Sequence, residues 1–483
     1  ALPKVDRWNG YIESNAFHTG ALIRGAITED THLAIAARRS YIDAILAATV
    51  PDGVLPFSQA PRYYDWQLKL DHKINDRATA TLFAYGTQDG VKALIDQPPA
   101  AFPDLKGDLE NDSGFTGILA LLRYDEREWS ARTTAGVLFG GAEIKVGDFA
   151  NVSASGVEFT LRQDFTFGRG PVQLRTGLDM YHVPYEISGK APVVPATGER
   201  GLIGNPPDGG VVRLEASGAV TMPGAYVDAV FKIIPDLELV PGVRIDLYRN
   251  LAAGETVSPR MNARYTYDSK LTLKGATGTT SQPAQPPQYF EQFGTPGMLP
   301  AQSWETAAGF EYNFTDYIDL DTMVFYKRQW DLHVASPALI PTPGKIFNND
   351  GTGLIYGFEM LLRHKSHGPF FGWLSYTLQR ATRIDHPGDI ARLFGWDQTH
   401  IVTAVGSYKL PANWEVGFRF RLTSGNPQTA VVTAVYNEHN DTYTRVRSAC
   451  LNCTRLPAFH QLDVRVDKKW VYDRWMLNAY LDV

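Results

Sequence analysis

Apolar and polar residues alternate along most of this chain with a period of two. In one segment Val157, Phe159 and Leu161 alternate with Glu158 and Thr160. The same pattern recurs at 64–71, 243–247, 318–324 and 415–422, while helical periodicity is scarce. A period of two predicts β-strands with one apolar and one polar face, the pattern of antiparallel strands that separate two different media.

The connections between these strands alternate between short and long. The short ones are expected at 28–32, 74–78, 124–129, 167–171, 234–238, 267–271, 314–318, 364–369, 410–414 and 471–475. The long ones are expected at 47–60, 88–113, 140–156, 182–215, 248–260, 278–304, 330–356, 382–398 and 425–460. This sorting predicts an all-β, transmembrane antiparallel β-barrel with short periplasmic turns and long extracellular loops. Lipid offers no partner to an open sheet edge, so the barrel has to close.

Counting the connections predicts about 20 visible strands of a barrel of about 22. The first, near Tyr11 to Ile27, leads into a short turn and therefore needs an upward strand before it. The last, Met476 to Val483, needs one more partner. We therefore expect residues 1–483 to form a single barrel domain that lacks its first and last strands.

Composition and motifs narrow the function. Net charge is -6 and charged residues are 20% of the chain, without the basic block that a nucleic-acid partner would favour. No G-x-S-x-G, H-E-x-x-H or P-loop pattern occurs, so we expect neither an enzyme nor a cofactor. The oxygen-rich stretch 108–114 could suit calcium, but a solvated extracellular loop is the favoured interpretation, and we expect no metal site.

Two sets of residues indicate how the strands face. Trp414, Trp470 and Trp475 lie beside short turns, where amphipathic rings form a girdle at the membrane interface. We expect them at the periplasmic girdle. Charges that alternate with apolar residues, such as Glu415 and Arg419, predict a polar lumen wall, because a charge turned to lipid at the midplane costs about 2–4 kcal/mol.

Both cysteines lie in the C-x-x-C of 450–453. Such a spacing can be a redox pair, half of a metal site or a disulfide clip. A thioredoxin-like role needs a βαβ setting that is absent here, and zinc needs two more ligands, for which His460 is the one nearby candidate. Export through an oxidising periplasm favours a local disulfide between Cys450 and Cys453, with a metal site and free thiols left open.

Several long stretches carry a family resemblance. They include "QPPQYFEQFGTPGMLPAQSWETAAGFEYNF" (285–314), "NNDGTGLIYGFEMLLRH" (348–364) and "RLPAFHQLDVRVDKKW" (455–470). The chain resembles the barrel domain of TonB-dependent outer-membrane transporters (receptors), particularly the large ones of myxobacteria. The resemblance implies a protein embedded in outer-membrane lipid that takes up a bulky, scarce nutrient: an iron–siderophore complex, a vitamin, a glycan or a peptide.

The resemblance also implies TonB and a plug domain as partners. No plug is recognised in this sequence, so we expect a separate plug chain, a segment outside this sequence, or none. Two other functions stay open: a secretion or passive channel, and a structural outer-membrane barrel of a larger envelope machine with other subunits. Substrate contacts are expected in the long loops, such as 285–294 and 393–400.

Overall fold

The computed structural model describes residues 7–15, 17–42, 44–45, 57–95, 107–147, 150–192, 211–290, 294–338, 344–438, 442–473 and 476–483. Its main feature is one antiparallel sheet of 22 strands. The predicted antiparallel β-barrel architecture is thereby confirmed. Over the described ranges, no helix has the length and apolar character needed to cross a membrane.

The strands are β1 Asn9–Ser14, β2 His18–Thr28, β3 Thr31–Ser40, β4 Phe57–Lys73, β5 Ala78–Ile95, β6 Gly107–Asp125, β7 Trp129–Val146, β8 Ala150–Phe167, β9 Val172–Pro192, β10 Val211–Ile234, β11 Leu237–Leu247, β12 Glu255–Thr266, β13 Leu271–Gln282, β14 Ala301–Asn313, β15 Ile318–Ala335, β16 Phe347–His367, β17 Phe370–Ile384, β18 Arg392–Leu393, β19 His400–Leu410, β20 Trp414–Thr423, β21 Pro427–Gln428, β22 Val431–Asn437, β23 Thr442–Arg447, β24 Thr454–Arg455, β25 Phe459–Val471 and β26 Met476–Asp482. A short helix, α1, spans Pro286–Tyr289, and a 3-10 turn spans Pro411–Asn413. Strands β21 and β24, and β22 and β23, form two separate small sheets.

Each long strand pairs with its neighbours along the chain. The sheet continues from β17 to β19 and from β20 to β25, because β21 to β24 belong to the long connection between β20 and β25. The edge strands β1 and β26 run in the same direction. Within the described part of the chain, no pairing joins them.

The predicted first strand, Tyr11 to Ile27, is wrong as a single strand. The structure divides it into β1 and β2, which pair with each other. The Asn15 side chain accepts hydrogen bonds from the backbone N–H groups of Phe17 (2.8 Å) and His18 (3.0 Å), which stabilises a tight turn. The prediction that the barrel lacks its first and last strands stays a prediction.

The predicted long loop at 140–156 is also wrong. Strands β7 and β8 continue through it and leave only residues 147–149 between them. Strands β4 to β10 have 17 to 24 residues, so β10 is about 80 Å long at about 3.3 Å per residue. The apolar band of such barrels is only about 25 Å tall. This side of the sheet therefore extends well beyond the lipid.

The register separates two faces. One face carries exposed apolar side chains on strands all along the sheet, among them Leu178, Val257, Val324 and Phe418. The other face carries the charges, including Glu415 and the other charged positions predicted to face inward. We call the first the lipid face and the second the lumen face, because only the apolar one suits hydrocarbon.

Candidate functional site in the lumen

Ion pairs cross the lumen face from strand to strand. Arg244 on β11 contacts Asp179 on β9 at 2.7 and 2.8 Å and Asp246 on its own strand at 2.5 and 2.8 Å. Arg260 on β12 contacts Asp228 on β10 through two hydrogen bonds of 2.9 and 2.8 Å. Such charge-assisted, two-point contacts fix the geometry of the wall as well as stabilising it.

Glycines make room for these pairs on the strand between the partners. Gly242 lies between Asp228 and Arg260 in register, and a Cβ there would overlap the Asp228 carboxylate. Gly224 lies between Asp179 and Asp246 in the same way, and its Cβ would stand 2.7 Å from Asp246 Oδ1. The ion pairs therefore reach over a strand that has no side chain at the crossing point.

A pocket of about 730 Å³ opens on this wall between β11 and β17. Its size lies within the roughly 300–1,000 Å³ of small-molecule sites. Charges of both signs, amides and hydroxyls line it, including Arg260, Asn262, Glu305, Lys327 and Glu359. Lys327 pairs with Glu305 at 2.7 Å. The pocket therefore suits a polar, hydrated ligand that bears several hydrogen-bonding groups.

The segment 283–300, of which the structure describes residues 283–290 and 294–300, folds inward in those described parts over the outer part of the lumen. Tyr289 and Phe290 are buried in an apolar cluster. Packed against that cluster are lumen-face side chains of β9 and β10, such as Tyr185 and Met222. Because the segment connects β13 to β14, it has to reach past β11 and β12 to make these contacts. It therefore narrows the outer mouth.

Hydrogen bonds hold the inward-folded segment in place. Thr295 Oγ1 donates to the carbonyl of Phe347 at 2.8 Å, and the backbone N–H of Ala253 donates to the carbonyl of Met298 at 2.9 Å. Burial and the neighbouring Tyr185 hydroxyl raise the pKa of Tyr289 above its usual range, so the ring stays neutral. The prediction of substrate contacts in 285–294 stays a prediction. Residues 291–293 lie outside the described residues, and the rings of Tyr289 and Phe290 are buried in the cluster.

The stretch 393–400, in which the prediction of substrate contacts stays a prediction, contains one carboxylate with a structural role. Asp397 is fully buried. It accepts hydrogen bonds from the backbone N–H of Ala381 (2.6 Å), from Thr399 Oγ1 (3.0 Å) and from Arg455 Nη2 (2.6 Å). With its oxygens engaged, this carboxylate organises the start of β19. It is not presented to a ligand.

Two of the three predicted girdle tryptophans lie at the short-turn end on the lipid face. Trp414 is the first residue of β20, and Trp470 lies one residue before the end of β25. Both are exposed. The Lys468 ammonium lies 5.2 Å from the Trp414 ring and 5.6 Å from the Trp470 ring. The girdle role stays a prediction, and Trp475 lies outside the described residues.

The two cysteines lie in the long connection between β20 and β25. The structure joins Cys450 and Cys453 through their sulfurs, with Cα atoms 5.7 Å apart, a separation that disulfides span. Asn452, between them, donates from its side chain to the carbonyl of Leu393 at 2.8 Å, which anchors this segment to β18. Oxidation in the mature protein stays a prediction.

The stretch considered for calcium is part of β6. Asp112 contacts Arg62 at 3.3 Å and Glu110 contacts Lys92 at 2.5 Å. In the described ranges, no group of three or more His, Cys, Asp or Glu side chains could hold a metal ion. Sequence reasoning missed the paired charges at Asp179, Arg244 and Arg260, although their period-two placement was the available signal.

Comparison with known proteins agrees with this architecture. No curated protein matches the chain. The ferripyoverdine receptor of the outer membrane of Pseudomonas aeruginosa, bound to ferripyoverdine, is 12% identical, with a TM-score of 0.72 over 99% of this chain and 68% of that one. The ferric yersiniabactin uptake receptor FyuA of Yersinia pestis is 11% identical, with a TM-score of 0.68 over 99% and 79%. At these identities the likeness shows the fold.

A third similar structure is the siderophore receptor PirA of Acinetobacter baumannii, 12% identical, with a TM-score of 0.66 over 97% of this chain and 75% of that one. The family model described as TonB dependent receptor-like, beta-barrel, matches residues 37–482. This match covers nearly the whole chain and agrees with the sheet, its short turns and its charged lumen. The chain therefore belongs to the TonB-dependent receptor β-barrel family of the bacterial outer membrane.

Proposed function

We propose that this barrel takes up an iron–siderophore complex across the outer membrane with energy supplied through TonB. Membership of the family supports outer-membrane uptake as the class of function. The siderophore is the finer step, supported by similar structures that are siderophore receptors. The observation that carries it is the polar pocket of about 730 Å³ in the lumen wall, below the inward-folded segment 283–300.

The pocket suits such a ligand for a physical reason. Siderophore complexes are large, polar and rich in oxygen acceptors, and they gain from donors such as Arg260, Lys327 and Asn262. The carboxylates of Glu305 and Glu359 keep the wall close to charge balance, which limits the trapping of an anionic complex. Transport of this kind makes and breaks no covalent bond, so the wall needs only to bind and release.

The experiment compares iron uptake by a deletion strain with uptake by the same strain complemented with the full-length gene. Cells receive radioactive iron bound to a panel of siderophores, with and without an uncoupler of the proton-motive force. Complementation should restore uptake of at least one complex, and the uncoupler should abolish it. Uptake that persists under uncoupling would instead support a passive channel. Restored growth without any iron uptake would refute the proposal that the transported ligand is an iron–siderophore complex.

A pocket variant tests the site itself. Lys327→Gln leaves the Glu305 carboxylate unpaired in the pocket, so the apparent KM for the transported complex should rise while the amount of folded protein stays unchanged. Lys270→Gln removes the same charge from a short turn outside the pocket and should transport like the wild type. Equal KM values for the two variants would show that the pocket is not on the ligand's path.

A further inference from the structure

A second pocket, of about 520 Å³, lies on the lumen face at the short-turn end, across β2 to β7. Positive charge dominates its lining. The cations are Arg24, Lys69, Lys73, Arg123 and Arg132, against the carboxylates of Asp30 and Asp71. It lies at the opposite end of the barrel from the segment 283–300 and shares none of the residues of the pocket described above.

Two of its cations stand on neighbouring strands. Arg123 on β6 and Arg132 on β7 are direct partners in register. Like charges opposite each other on neighbouring strands destabilise a sheet. Among the residues that the structure describes, neither guanidinium forms a direct salt bridge, although the Asp164 carboxylate acts on Arg132 electrostatically. The wall therefore places two cations in register on neighbouring strands, with the repulsion between them only partly offset by Asp164.

The nearest carboxylates are already engaged. Asp164, the register partner of Arg132 on β8, accepts hydrogen bonds from Arg162 at 3.0 and 3.1 Å and from the Tyr226 hydroxyl at 2.6 Å. Asp71 accepts hydrogen bonds from Lys69 at 2.6 Å and from Thr81 at 2.5 Å. Both carboxylates therefore direct their hydrogen bonds to groups other than Arg123 and Arg132.

We propose that Arg123 and Arg132 form a binding site for a small oxyanion, a phosphate or carboxylate group, at the periplasmic end of the lumen. The guanidinium fork matches the two oxygens of such a group and binds it more specifically than an ammonium does. Thr79, the register partner of Arg123, adds a hydroxyl donor to the same row. The bound anion offsets the repulsion between the two cations, and the site does not depend on which ligand the barrel transports.

The test is calorimetric titration of the purified full-length protein, in detergent and at low ionic strength, with inorganic phosphate and separately with citrate. One or both probes should bind at one per chain, and the tighter probe identifies the class of oxyanion. Arg123→Gln and Arg132→Gln should each weaken binding at least tenfold. Arg123→Lys keeps the charge but loses the fork, and should bind between the wild type and Arg123→Gln.

The control is Arg127→Gln, which removes an exposed cation from the neighbouring turn and should bind like the wild type. Heat-dependent gel migration verifies that each variant is folded, and the lysine variant keeps the test decisive if a glutamine variant does not fold. The proposal is overturned if the wild type binds neither probe, as it would if an acidic protein segment filled the pocket. It is equally overturned if Arg127→Gln lowers affinity as much as the pocket variants do.

Discussion

Gly242→Ala should destabilise the barrel, although alanine normally fits a strand better than glycine. The new Cβ would overlap the Asp228 carboxylate and push it away from Arg260, ending both hydrogen bonds between the two side chains. The Asp228 side chain is 15% exposed and that of Arg260 is 34% exposed, so solvent replaces part of what is lost. Hydrogen bonds to charged groups contribute about 1.5–3 kcal/mol, and partial exposure places the loss near 2 kcal/mol.

The methyl group itself works in the opposite direction. Replacing glycine by alanine where the backbone allows it stabilises by about 0.5 kcal/mol. The net loss should therefore be about 1.5 kcal/mol. Gly417 provides a matched control on the lumen face, because its Cβ would meet nothing closer than the Gly406 carbonyl oxygen at 3.4 Å. Gly417→Ala should leave stability unchanged or slightly higher.

The assay is urea unfolding of the full-length protein in detergent, followed by tryptophan fluorescence, with the midpoint compared at constant slope. A double-mutant cycle with Asp228→Ala isolates the contact. Once the carboxylate is gone, Gly242→Ala should cost nothing further. The reasoning would be refuted if Gly242→Ala unfolded at the same midpoint as Gly417→Ala, or if its cost were the same with and without the carboxylate.

Three other predictions test the faces, the orientation and the cysteines. Met261→Arg should destabilise by about 2–4 kcal/mol because it turns a cation to lipid, whereas Asn262→Arg, on the lumen face, should be nearly neutral in the same unfolding assay. With both native cysteines replaced by serine, Lys345→Cys should react with an impermeant reagent on intact cells and Ser366→Cys should not; the reverse would invert the topology. The pair Cys450–Cys453 should show no free thiol under non-reducing alkylation, and two alkylated thiols would exclude the disulfide.

The sequence predicted strands and turns well in the parts of the chain that cross the lipid. The apolar stripe and the turn residues follow directly from strands that cross hydrocarbon, and the turn positions at 234–238, 314–318 and 364–369 are confirmed. The pattern failed where a strand leaves the bilayer. In β8, Ser153 and Ser155 share a face with Phe159, yet they lie above the lipid and need no apolar character. The long strands therefore looked like loops.

The site was harder to predict than the fold. Alternation indicated which charges face the lumen, but not which of them meet, because Asp179 and Arg244 come together only through register across β10. The inward path of 283–300 depends on contacts between its aromatic rings and strands far away in sequence. The sequence could not show whether Asp397 is buried and fully hydrogen-bonded or exposed to a ligand, because burial depends on the partners that the fold supplies, here Ala381 and Arg455.

The glycines beneath the ion pairs also restrict how this wall can change. A side chain at Gly242 is harmful while Asp228 and Arg260 are paired, and becomes tolerable only after the pair is lost. Loss of the pair first, by contrast, opens the position to many residues. The order in which substitutions arise therefore matters, and a lineage that fills the glycine position cannot regain the ion pair by a single change. The residues that the lumen wall tolerates therefore depend on which substitutions came first. Its glycines can change only after the charged residues beside them have changed.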